Sequence, residues 1–374
     1  MNTVTPRIFI AATEQDTGKT TISLGLYSAL GKKFPQIGYI KPVGQRFTEV
    51  DGRRIDEDSL LIQTVYQTRV PLEDMSPITI EPSFTRRYID EANHDTLVRR
   101  IRHSFDRASW EKDFAIIEGS GHAGVGSVFD LSNASVARIL ESKVLLVVPG
   151  GIGLPIDEGA LNKALFDREG VEVIGVVMNK VLATKIDQVQ DFARRGFERL
   201  GLELLGVMPV QKKLTEPSLQ QIATTIRGTF FCNMCFAGNY AADVVIGAVS
   251  SANIRQKISP GTLLVVPGDR EDIVLAAISE SSDWSAGRLS GLVLSDELKP
   301  HARLLEMLEK TKLPVVFSSM DCYSIADRIL SLTIKIQPGD TDKIESVQEL
   351  VARHLNIPRL LQKLGISCSS SDFR

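Results

Sequence analysis

Apolar residues come in short unbroken runs between residues 1 and 211: RIFIAA, IGYIKPV, FAIIEGS, VLLVVPG, VIGVVMNK and LELLGVMP. Between these runs lie stretches with apolar residues at helical spacing, such as ISLGLYSAL. A strand that is apolar on both faces belongs inside a sheet covered on both sides. Its alternation with helices predicts parallel order and right-handed crossovers. The pattern therefore predicts an α/β fold, a mostly parallel sheet with helices on both faces. Ligands of such a fold sit at the carboxyl ends of the strands.

The rhythm breaks twice. Residues 66–94 hold Pro71, Pro77 and Pro82 among many charges with little periodicity, which predicts a long connection. After Pro209 the polar stretch VQKKLTEPS reads as a linker, and a second alternation follows: DVVIGAV, TLLVVPGDR, GLVLSD and LPVVFSS. The expected organisation is a nucleotide-binding domain over 1–211, a smaller α/β domain over 212–335, and a helical tail over 336–374 ending in a disordered SCSSSDF.

Composition narrows the class. The chain has 374 residues, 43% of them hydrophobic, enough for ordinary cores. A net charge of −3 supplies no basic field for nucleic acid or acidic lipid. No apolar stretch is long enough to span a bilayer, and no leader precedes the first strand, so a cytoplasmic protein without a membrane is expected. Four cysteines suit a reducing compartment. Cys232 and Cys235 form C-N-M-C, half of a zinc or redox pattern, but no second cysteine or histidine pair completes it.

The chemistry begins at ATEQDTGKTT, residues 12–21, between the first apolar run and the first helical stretch. A phosphate loop needs glycine for close backbone approach, lysine for phosphate charge and a hydroxyl for magnesium. Gly18, Lys19 and Thr20 supply these at the N-terminus of a helix, where anions are favoured. The strict pattern fails at its first glycine, where Thr13 stands. A strand-loop-helix ending in Gly-Lys-Thr still predicts a P-loop NTPase-type fold.

Further polar residues fall at later strand ends. Lys41 closes IGYIKPV, and Pro42 ends that strand. Asp56, Glu57 and Asp58 precede a helical run, where capping and dipole complementarity alone account for them. Glu118 ends FAIIEGS, beside the P-loop strand in the expected sheet; a carboxylate there can ligate magnesium, a hard cation. The glycine-rich GSGHAGVG that follows permits close backbone approach. His122 within it is a candidate acid or base without a legible partner. Asp130 and Asn133 are expected to cap the next helix. Asn179 ends VIGVVMNK, either as a turn residue or as a group able both to donate and to accept. In VVPGDREDIVLAA, Asp269 is a candidate cap, and Glu271 and Asp272 suit the helix start. Arg270 is left unexplained.

ATEQDTGKTT resembles the loop of dethiobiotin synthetase, whose pattern is close to G-T-D-T-x-x-G-K-T. Ala12 stands at the family's first glycine, Thr13 at its threonine and Glu14 at its aspartate. Glu14 also occupies the place of the signature lysine of MinD-type relatives, which argues against a dimer-activated ATPase. The resemblance implies a nucleotide site of Glu14, Thr17, Gly18, Lys19, Thr20, Thr21 and Asn179. It implies magnesium held by Thr20, Asp58 and Glu118, and catalytic roles for Lys19 and Lys41. The strand, P-G-D-R turn and helix around Arg270 resemble the domain named for its D-R-T-G-G motif. That domain accompanies the same module at the N-terminus of long bacterial phosphate acetyltransferases. Their catalytic domain would follow where this sequence stops, so acetyl transfer from this polypeptide alone is not expected.

The function expected is Mg-ATP binding with activation or phosphorylation of a small carboxylate or carbamate, as in dethiobiotin or cobyrinic acid diamide synthesis. The alternative is a nucleotide-sensing regulator of a partner enzyme, with little turnover. ATP and magnesium are the expected cofactors; a homo-oligomer and an acyl-transfer enzyme are the expected protein partners.

Overall fold

The computed structural model describes residues 1–281 and 289–367; the sequence-predicted disordered end lies outside them from residue 368 on. The chain divides into two compact units, Met1–Val210 with Ile336–Arg374, and Gln211–Lys335.

The first unit is built on a six-stranded sheet. Its spatial order is Leu204–Pro209, Val173–Val181, Lys143–Pro149, Arg7–Ala12, Phe114–Glu118 and Ile37–Ile40. All neighbouring pairs are parallel. Strands Arg7–Ala12 and Phe114–Glu118 are buried along their whole length. The apolar runs made these residues strands, and burial on both faces explains why the runs do not alternate.

The helix Lys19–Gly31 buries Ile22, Leu24, Leu26, Ala29 and Leu30. Its outer side is covered by the C-terminal helix Thr341–His354, which buries Ile344, Val347, Leu350 and Val351, the stripe of an amphipathic helix. A Cβ added at Gly25 would lie 2.3 Å from Val351, so glycine sets how closely the two helices approach. Beyond that helix, the amide of Asn356 donates to Leu205 at 2.9 Å, so chain from the C-terminus covers the outer edge of the sheet. The stretch 336–367 is thus part of the first unit, not a separate tail. Sequence periodicity found its helices but not the surface they cover.

The connection 66–94 is more ordered than its prolines suggest. It contains helices Leu72–Met75 and Phe84–Asp90 and the short strand Ile78–Thr79. Before it, strands Phe47–Val50 and Arg53–Asp56 form an antiparallel hairpin.

The second unit carries a five-stranded sheet ordered Thr229–Cys232, Val315–Phe317, Leu289–Ser295, Thr262–Pro267 and Asp243–Ile246. It is parallel except at Thr229–Cys232. Leu264 and Val266 enter one core cluster and Leu263 and Val265 another, the two faces of one strand. The C-N-M-C motif ends the antiparallel edge strand, with Cys235 exposed and both thiols free. Burial pushes the Cys232 thiol up to about 11, opposite to what a reactive thiolate needs.

Candidate nucleotide site

The loop 13–18 joins the central strand Arg7–Ala12 to the helix Lys19–Gly31. It is tied to the sheet where Thr13 donates its amide to Val147 at 3.0 Å. Among the described residues, the amides of 14–18 donate to no other protein group. Unpaired amides at a helix N-terminus make an anion cradle. Gly18 has φ 109°, a conformation that side chains rarely adopt. Its Cα faces Asn179: an added Cβ would lie 2.2 Å from the Asn179 amide nitrogen.

The loop is braced from several directions. Asn179 donates to the carbonyl of Thr17 at 2.9 Å, and Lys180 donates to that of Asp16 at 2.6 Å. The hydroxyl of Thr17 donates to the carbonyl of Glu14 at 3.0 Å. Gln15 donates to Gln45 at 3.1 Å, linking the loop to the segment before the hairpin. The carboxylate of Glu14 is exposed, so it is the carbonyl that shapes the loop. The Lys19 ammonium folds back to 3.4 Å from that carbonyl. Thr21 is half-buried in the first turn of the helix.

Glu118, wholly buried at the end of the neighbouring strand, is the hub. Thr20 donates to its Oε1 at 2.8 Å and Tyr39 to its Oε2 at 3.0 Å. Lys41 Nζ lies 3.8 Å from Oε1 of Glu118 and 3.2 Å from Oδ1 of Asp56, and it is ion-paired with Asp58. Lys19, Lys41, Asp56, Asp58 and Glu118 are all 8% exposed or less. Asp56 is the helix cap, its Oδ1 accepting from the amide of Asp58 at 2.9 Å.

Burial disfavours charge, and the groups answer differently. It lowers the Lys19 ammonium to about 8, with Glu118 only partly offsetting it. Burial also pulls on Lys41, but Asp58, Asp56 and Glu118 outweigh it and raise it above the ordinary lysine range. The Asp56 carboxyl is pushed up to about 6 by burial, against Lys41.

The structure brings Lys19, Thr20, Lys41, Asp58, Glu118 and Asn179 to one end of the sheet. His122 is exposed and turns its Nδ1 onto the amide of Gly124 at 3.1 Å, a loop contact. Asn133 and Asp130 are not the caps expected. Ser132 caps that helix, while the Asn133 side chain braces the glycine loop through Ser120 and His122. Asp130 accepts from Tyr88 at 2.9 Å. Tyr39 and Asp56 escaped sequence reading as members of the cluster. Tyr39 lies two residues before Lys41, on the same side of an extended chain, and that spacing was the available signal.

The residues that could hold magnesium are oxygen donors, as a hard cation requires. Thr20 and Glu118 are already in contact, and Asp56 Oδ2 is a buried acceptor with no partner. Asp58 is occupied by Lys41. Among the described residues no three acidic, histidine or cysteine side chains meet as metal ligands would.

Comparison with known proteins identifies two families along the chain. A family model described as an AAA domain matches residues 6–218, and a DRTGG-domain model matches residues 221–332. The chain is similar to phosphate acetyltransferase of Pseudomonas aeruginosa, 29% identical over 378 residues, covering 96% of this chain and 52% of that protein. It is 24% identical over 367 residues to that of Nitratidesulfovibrio vulgaris, covering 96% and 51%. The chain spans about half the length of the curated relatives it matches. Among solved structures, MinD of Aquifex aeolicus aligns with TM-score 0.36 and 17% identity, covering 56% of this chain and 83% of that one. The CBS and DRTGG regulatory region of Clostridium perfringens pyrophosphatase aligns with TM-score 0.28 and 20% identity, covering 38% and 62%.

Proposed function

The chain belongs to the AAA-domain family of P-loop modules and carries a DRTGG domain behind it; on that premise we propose that it binds Mg-ATP at loop 13–18. One observation carries the reading. A buried lysine, a threonine hydroxyl and a buried carboxylate gather beside a loop whose amides are unpaired. The amides and Lys19 neutralise the polyphosphate. Asn179 holds Gly18 and Thr17 so that the backbone keeps its close approach. Thr20 and Glu118 would hold magnesium, which when bound neutralises charge developing on the phosphates. Lys41 stays charged under all ordinary conditions and can orient a small carboxylate acceptor beside the phosphates.

Calorimetric titration with ATP, with and without magnesium, tests the reading. Saturable binding that magnesium strengthens and Lys19→Ala weakens is expected. Absence of nucleotide uptake, or equal uptake by the variant, overturns it.

A second reading is favoured by the curated relatives. Phosphate acetyltransferases about twice as long contain a stretch similar to this chain, which suits a nucleotide sensor acting on an enzyme of acyl-phosphate metabolism. Steady ATP turnover stimulated by a small carboxylic acid supports the activating enzyme. Tight binding without turnover, together with capture of an acyl-transfer enzyme, supports the sensor.

A further inference from the structure

The carboxylates of Asp56, Asp58 and Glu118 come from three different segments: the end of the hairpin, the helix that follows it, and a strand of the sheet. All three face one ammonium, that of Lys41. Three buried carboxylates cannot share a site without a cation, because desolvated like charges repel strongly. Here the cation is covalently attached. Its occupancy of Asp58 keeps that carboxylate from serving a cation beside Thr20 and Glu118. One acceptor in the cluster is unused. Asp56 is 1% exposed, and its Oδ2 has no hydrogen-bond partner. That oxygen lies against Gly44, where an added Cβ would come within 2.6 Å of it. The other oxygen of the same carboxylate is already 3.2 Å from Lys41 Nζ.

We infer that Lys41 is a tethered cation holding the place of the divalent ion, and that Asp56 is the positioning carboxylate to which it withdraws when that ion enters. Metal entry is then an exchange. The incoming ion takes Asp58 beside Glu118, and Lys41 moves from Asp58 onto both oxygens of Asp56. Before entry one ammonium serves three carboxylates; after it the dication and the ammonium divide them, so the added positive charge meets the excess of carboxylates and none is left bare. The device keeps the site from loading metal alone. The inference rests on the magnesium part of the reading above, and not on the nucleotide.

The test uses the full chain without nucleotide and manganese(II) as the probe, with free ion followed by electron paramagnetic resonance. The native protein binds the ion weakly. Lys41→Met, which removes the competing cation and keeps much of the bulk, binds it at least about tenfold more tightly, and magnesium displaces it. Its melting temperature rises on adding magnesium, whereas that of the native protein does not, since a ligand bound only by the folded state stabilises by mass action. Asp56→Asn is the second variant, because asparagine caps a helix as well as aspartate. With Lys41 present it weakens manganese binding several-fold; in the Lys41→Met background it changes binding little. Equal affinity of Lys41→Met and the native protein overturns the exchange. Equal weakening by Asp56→Asn in both backgrounds makes Asp56 a direct ligand and overturns its role as the receiving carboxylate. Should Lys41→Met fail to fold even with manganese, Lys41→Gln replaces it in both comparisons, and unchanged affinity in Asp56→Asn by itself overturns the proposal. Nucleotide titration of the native protein is independent of all these outcomes, so failure of the ATP reading is recognised separately.

Discussion

The two units share a design of parallel strands between helices, and they treat charge in opposite ways. In the first, Lys19, Lys41, Asp56, Asp58 and Glu118 are all buried at the carboxyl end of the sheet or beside it. In the second, no charged side chain among the described residues is buried; its buried polar residues are Ser218, Thr262, Ser290, Ser295 and Ser318. Its nearest counterpart to the P-loop is the turn at Gly268–Arg270 before helix Glu271–Ser281. There the guanidinium of Arg270 is consumed by structure. It donates to the carbonyls of Gly247 at 3.3 Å and Val249 at 3.0 Å and to Asp272 at 2.9 Å. A strand, a glycine turn and a helix therefore do not by themselves make a charged site. Desolvating an ion is costly, and a fold keeps several buried ions only where they are mutually paired.

Cutting the same kind of cation from each unit gives the sharpest contrast. In metal-free buffer Lys41→Met leaves three buried carboxylates without their ammonium and costs about 3–5 kcal/mol of stability, read as a lower urea midpoint. The comparison fails if that midpoint does not move. Next in size is Lys19→Ala. Loss of a charge-assisted contact to phosphate, about 1.5–3 kcal/mol, weakens nucleotide binding roughly 10–100-fold, measured by calorimetry at fixed salt.

The pH dependence follows from the lowered Lys19. With its folded value about 8 against an ordinary 10.5, the nucleotide-free protein holds fewer protons than the unfolded chain between those values. Stability from this group therefore rises with pH across that window. Binding runs the other way. A bound polyanion favours the charged lysine, so affinity declines above about pH 8, by at most about tenfold per pH unit, and binding takes up a proton there. Titrations in buffers of different ionisation enthalpy read that proton; uptake at pH 9 equal to that at pH 6.5 would be the contrary result.

The smallest effect is expected from Arg270→Met. Its guanidinium contacts are partly solvent-exposed, so the urea midpoint shifts much less than for Lys41→Met, and nucleotide affinity is unchanged. A large loss of nucleotide binding would show that the two units are not as different as their charges suggest.

The apolar runs by themselves determined the strands, their parallel order and the end of the sheet where polar groups gather, because burial on both faces leaves a local mark in the sequence. Gly18, Lys19 and Thr20 were legible for the same reason: loop, charge and helix start are adjacent in the chain. What only the tertiary structure decided is pairing across distance. Lys41 and Asp58 read as separate strand-end and helix-start residues, and nothing local says that the hairpin 47–56 carries Asp56 and Asp58 onto the lysine. The C-terminal helices showed their periodicity but not their partner, since an amphipathic stripe records that a face is covered and not by what. Asn133 likewise read as a cap and Asn179 as a turn residue or a nucleotide contact, because an amide side chain reveals its partner only once the backbone it braces has been folded against it.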